Sequence, residues 1–158
     1  MWVRSAATLP LPPDAVLETL RRGGSSAIAA IAQDVSGPGE HLHGQLGCPV
    51  PRDLNTTFHL RWWNDRDRSL TPRVNGELEV RPLATDSTQL VITVDYRCRA
   101  RLRELADSMF IRRTAESVVN AFLHALVDYL ERATEAQMRP DWSARRNRAP
   151  ATCCLTQR

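Results

Sequence analysis

The chain has 158 residues, 42% hydrophobic and 25% charged, as expected of one globular domain with a single core. All 21 of its basic residues are Arg, which excludes lysine Schiff-base and lysine-nucleophile chemistry. Residues 137–158 hold five Arg against Asp141, a net +4 that leaves −1 for residues 1–136 out of the total of +3. The pI near 8.9 therefore belongs to a tail, and no nucleic-acid surface is expected on the folded body.

Val3 to Leu9 reads as a first strand. Met1–Asp14 reaches Pro10, Pro12 and Pro13 before any long apolar run, so no secretory leader is expected. No apolar stretch approaches the ~20 residues of a membrane span. The four cysteines (48, 98, 153, 154) show no metal-knuckle spacing. A reduced, cytoplasmic protein is the expectation.

Pro12-Pro13-Asp14 then opens a short helix with Val16, Leu17 and Leu20 on its apolar side, and Gly23-Gly24 is expected to stop it. Ser25 or Ser26 is placed to cap a second short helix over Ala27–Ala32. Beyond the 36–39 loop the hydrophobic period changes from 3.6 to 2.

Leu42, Leu46, Cys48 and Val50 alternate with His41, His43, Gln45 and Gly47. Leu54, Thr56, Phe58, Leu60 and Trp62 alternate with Asn55, Thr57, His59, Arg61 and Trp63. After a polar loop at 64–69, Leu70, Val74, Leu78 and Val80 form the third apolar row, with Pro72 and Pro82 at strand ends or bulges. Thr85-Asp86-Ser87 turns the chain into Leu90, Ile92, Val94 and Tyr96. One apolar and one polar face per segment predicts an antiparallel sheet wet on one side.

Glu104 to about Ala136 contains neither Gly nor Pro. Leu105, Met109, Ala115, Val118, Val119, Phe122, Leu126, Val127 and Leu130 make one helical stripe, with Arg113, Glu116, Asn120, His124, Asp128 and Glu131 opposite. Strands followed by one long helix predict an α+β fold in which a curved antiparallel sheet wraps around the C-terminal helix. The folded domain is assigned to 1–136, and the Arg-rich 137–158 tail is expected to be disordered.

These elements and their motifs resemble the START-like superfamily, the polyketide cyclase/dehydrase and lipid-transport group with a helix-grip fold, and a bacterial branch of it in particular. The resemblance rests on Leu60-Arg61-Trp62, Pro72, Gly76-Glu77-Leu78-Glu79-Val80-Arg81-Pro82-Leu83, Thr88-Gln89-Leu90, Tyr96, Asp107 and Arg113. It covers roughly residues 3–134. Arg97-Cys98-Arg99-Ala100-Arg101-Leu102-Arg103 departs from the Pro- and Gly-rich loop that relatives place after the tyrosine.

The resemblance implies a cavity between sheet and helix for a lipid, polyketide, sterol-like or aromatic molecule. Its walls would be Thr56, Phe58, Leu60, Trp62, Leu78, Val80, Leu90, Ile92, Val94, Tyr96, Met109, Val119, Phe122 and Leu126. Thr56, Trp62 and Tyr96 would supply the few polar points that orient an apolar guest, or find backbone partners in an ordinary core.

Other constellations are weaker. Glu40, His41 and His43, with His59, lie on the polar side of their strands and lack a complete ligand set for zinc. His124 and Asp128 form an i, i+4 pair away from the apolar stripe. Asp65 and Asp67 lack the glycine and distal glutamate of a calcium loop. Cys153 and Cys154 do not occupy the prenylation position. No nucleophile–base pair can be assembled, and no cofactor or metal is expected. The expected partner is a small hydrophobic molecule bound without chemistry. A cyclase or aromatase would need at least one acid or base inside the cavity, and Asp95, His59 or Arg61 pointing inward would favour it. An interaction module would have its interior filled by its own side chains and would carry a large exposed apolar patch.

Overall fold

The computed structural model describes residues 1–36, 42–64, 73–97 and 108–138. Its elements are β1 (Trp2–Leu9), α1 (Pro13–Ser36), β2 (Leu42–Arg52), β3 (Asn55–Asn64), β4 (Arg73–Ala84), β5 (Ser87–Arg97) and α2 (Ser108–Met138). The expected 137–158 tail, apart from the end of α2, lies outside these residues, as do Glu40, His41, Asp65, Asp67, Pro72, Cys98 and 99–107.

All strand pairs are antiparallel, in the order β1-β5-β4-β3-β2. β2 to β5 form a meander and β1 adds beside β5, leaving β1 and β2 as the sheet's edges. The register aligns Val3, Val94, Gly76, Leu60 and Leu46 in one row across all five strands. The next row on the same face runs Ser5, Ile92, Leu78, Phe58 and Pro49. Period-two alternation therefore gives this curved sheet a single continuous apolar face.

α2 lies across that face, touching β1, β5 and α1, and buries Ala115, Val119, Phe122, Leu123, Leu126 and Leu130. Their three- and four-residue spacing is the stripe expected from the sequence. At about 1.5 Å per residue α2 spans roughly 46 Å, while an eleven-residue strand spans roughly 36 Å at about 3.3 Å per residue. Its first turn overhangs: Met109 is 61% and Phe110 67% exposed.

The two short helices expected after β1 are one continuous helix of 24 residues. Gly23 and Gly24 do not stop it, because they serve packing. A Cβ on Gly24 would lie 2.6 Å from Leu46 Cδ2, and one on Gly23 would lie 2.7 Å from the Tyr129 hydroxyl. The missing side chains let α1 sit against β2 and α2 at once. Ser25 is consequently not a cap. Its hydroxyl donates to the Leu46 carbonyl (3.3 Å) and accepts from the Leu46 amide (3.2 Å). Gln33 Oε1 accepts from the Leu42 amide at 3.1 Å, so α1 covers the otherwise unpaired edge of β2.

The expected alternation in β2 holds only as far as Leu46. Between Leu46 and Pro49 the register shifts, with Gly47 and Cys48 opposing His59 alone. This bulge reverses the parity, so Cys48 and Val50 are exposed rather than apolar-facing. Pro49 and Pro51 take their places opposite Phe58 and Thr56.

Candidate functional site

The sheet's concave face and α2 bring together twelve of the fourteen residues expected to line a cavity. Phe58, Leu60, Trp62, Leu78, Val80, Leu90, Ile92, Val94, Tyr96, Val119, Phe122 and Leu126 are all buried. Thr56 shares their face beside Val80 but is only half-buried, at the β2–β3 end of the sheet. Met109 stands on the overhanging first turn of α2, apart from the buried set.

The indole of Trp62 and the ring of Phe122 stack at 4.5 Å between centroids, with planes 22° apart. This contact joins the Asn64 end of β3 to the middle of α2. Around it, Leu60, Leu78, Leu90, Ile92, Val94, Val119, Phe122 and Leu126 retain no exposed surface. Side chain therefore meets side chain there, with no water-sized space beside these residues.

The concave face is also chemically quiet. Among the described strand residues, Tyr96 is its only ionisable side chain. Its backbone amide donates to the Met1 carbonyl at 2.8 Å, which fixes the β5 end beside the chain's start. Thr88, at the far end, donates its hydroxyl to the Leu11 carbonyl at 2.7 Å.

Charges lie on the convex face. His59 is exposed there, and Arg61 donates its Nε to Gln45 Oε1 at 2.6 Å. Asp95 accepts from the Met1 amine (2.8 Å) and from Arg97 Nε (2.6 Å). Hydrogen bonds from that amine and from Arg97 hold its carboxyl below the usual range. Glu79 accepts from Arg81 Nη2 and Asn55 Nδ2, each at 2.7 Å. The Arg81 hydrogen bond is the main reason its carboxyl is also held low.

The remaining sequence candidates separate. His43 stacks on Trp63 at 5.4 Å, whereas its expected companions Glu40 and His41 lie outside the described residues. Among the described residues no group of three or more His, Cys, Asp or Glu is placed to hold a metal. His124 and Asp128 are both exposed and no hydrogen bond joins them. The described residues include no helix long and apolar enough to cross a membrane.

One feature escaped the sequence reading: a depression of about 380 Å³ lined by Arg61, Trp62, Trp63, Arg73, Val74 and Asn75. Strand parity puts Arg61, Trp63, Arg73 and Asn75 on the convex side, over the paired backbones of Trp62 and Val74. An Arg on each of two neighbouring strands was the available signal.

No sequence-family model and no curated protein matches the chain. Solved structures do. A START superfamily protein from Mycobacterium smegmatis aligns with 84% of this chain and 98% of its own, at 12% identity and a TM-score of 0.55. A hypothetical protein from Helicobacter pylori aligns over 82% and 87%, at 16% identity and 0.54. The Zhui aromatase/cyclase from Streptomyces sp. R1128 aligns over 87% and 98%, at 18% identity and 0.50. The chain has the helix-grip fold of START-like and polyketide-cyclase proteins.

Proposed function

We propose that this protein binds a small hydrophobic molecule, without chemistry, between the concave face of its sheet and α2. The observation that carries the reading is the make-up of that face. Apart from Tyr96 its described strand residues carry no ionisable side chain, and His59, Arg61 and Asp95, whose inward placement would favour an enzyme, occupy the opposite side. The proposed walls are those expected from the sequence, with Thr56 and Met109 at the two ends of the interface. Because the residues packed around the Trp62–Phe122 stack retain no exposed surface, the guest would enter by parting α2 from the sheet. A flat guest would replace the Trp62–Phe122 stack with two new ring contacts. Burying ~300 Å² of its apolar surface yields roughly 7 kcal/mol before the entropic costs of association.

The closed packing favours a second reading, in which the interior is filled by its own side chains and the surface carries the function. Tryptophan-fluorescence and thermal-shift titrations with palmitate and with planar aromatic polyketides separate the two. Saturable binding at one molecule per chain, lowered by Phe122→Ala at a temperature where that variant is folded, supports the ligand reading. No binding across the panel, together with native mass spectra free of co-purified small molecules, overturns it. Conversion of a polyketide substrate, read by mass spectrometry of the incubated mixture, would overturn the non-catalytic part.

A further inference from the structure

Among the described residues, the convex face brings like charges together. Arg73 pairs in register with Arg97, and like charges placed opposite one another across a sheet are destabilising. Arg61 lies diagonally across the β3–β4 ladder from Arg73. Among the described residues, Asp95, opposite Asn75, is already engaged by the Met1 amine and Arg97. Glu77, one row further, is engaged by Arg52 at 3.2 Å. Arg73 itself has no hydrogen bond or ion pair among the described residues.

Arg61 is held ready. Its Nε is committed to Gln45, and its guanidinium carbon lies 4.8 Å from the centroid of the Trp63 ring. Two contacts fix the plane of the guanidinium while its terminal nitrogens remain free to donate. The resulting cleft, with Arg61 and Trp63 on one strand and Arg73 and Asn75 on the other, measures about 380 Å³. That is within the size range of small-molecule sites. Guanidinium pairs recognise oxyanions through charge-assisted, often bidentate hydrogen bonds.

We propose that this cleft binds the carboxylate or phosphate group of a small molecule between Arg61 and Arg73, with the Asn75 amide as a further donor. The site lies on the face opposite the apolar interior and does not depend on what the interior holds.

The test is an NMR titration of the full chain, with separate arms for inorganic phosphate and benzoate at constant low ionic strength. Arginine Nε–H and asparagine side-chain amide signals are followed. Saturable shifts centred on Arg61, Arg73 and Asn75 are expected in at least one arm, and comparing the arms tells phosphate from carboxylate. Arg73→Gln should weaken binding about tenfold, the loss of one charge-assisted partner. Arg81→Gln, remote from the cleft, should change it by less than about twofold. Thermal midpoints confirm that both variants are folded. Non-saturating shifts spread equally over Arg4, Arg52 and Arg81, or wild-type affinity in folded Arg73→Gln, would overturn the proposal.

Discussion

Trp62 of β3 and Phe122 of α2 are stacked at 4.5 Å, and both are fully enclosed. The contact ties the Asn64 end of β3 to the middle of the helix that covers the sheet. Phe122→Ala removes one ring and leaves the other facing a void, so a loss of about 3–5 kcal/mol is expected in urea unfolding. Phe122→Leu keeps most of the volume and should cost about half as much or less. Trp62 emission should shift to the red in the Ala variant, as water reaches the opened space. An unchanged spectrum and midpoint would mean that the stack contributes little.

The seat of α1 on β2 makes a second expectation. A Cβ on Gly44 would overlap the backbone of Ala29 in α1, which cannot turn aside as a side-chain tip can. Gly44→Ala should destabilise the protein by at least about 2 kcal/mol. Gly47→Ala is the control: its Cβ would meet His59 Cβ at 3.2 Å, beside a bulge that can yield slightly. Its effect should be well under half as large. Equal denaturation midpoints for the two variants would contradict this account of the helix–strand contact.

Those two glycines also mark where the sequence could and could not be read. β3, β4 and β5 followed their alternation because each keeps one parity along its concave positions, from Phe58 to Trp62, Val74 to Val80 and Leu90 to Tyr96. Leu46 was placed correctly and Val50 was not. The cause is one extra residue at Gly47-Cys48, and no periodicity announces a bulge whose position depends on the partner strand. Gly23-Gly24 carries the local mark of a helix end. Its actual use, close approach of Leu46 and Tyr129, is a tertiary fact. Met109 continued the α2 stripe in sequence, but it lies on the exposed first turn of the helix rather than in the buried set. Of the proposed interior site, the composition was legible while its closed packing was not. The Arg61–Arg73 cleft depended on a register that single-strand patterns do not contain.

Glu79 supplies a pH-dependent expectation. Its carboxyl is held low mainly by the Arg81 hydrogen bond, reinforced by the charges of Arg81 and Arg4 and by Asn55 and opposed by partial burial. A carboxylate with a lowered folded-state pKa adds stability above its unfolded value, near 4.3, and loses it as pH falls through the folded value. Wild type should therefore exceed Glu79→Gln in urea midpoint at about pH 7, and the gap should close between about pH 5 and pH 3. A gap that persists at the acid end would show that the glutamate acts through packing rather than charge.

The clasp between Ser25 and Leu46 predicts a local effect more than a global one. On an edge strand the outward amide of Leu46 has no neighbouring strand, and the Ser25 hydroxyl meets it at 3.2 Å while donating to the carbonyl of the same residue. Ser25→Ala removes both bonds from a partly solvated position where water can replace them. The expected cost is therefore only about 1 kcal/mol. Amide exchange is the sharper readout: Leu46 should lose protection by about tenfold. The Leu42 amide, held by Gln33 at 3.1 Å two turns further along α1, should change much less. If both amides accelerated together, α1 would be lifting from the β2 edge as a unit, and the serine would be holding the helix in place rather than only shielding one peptide group.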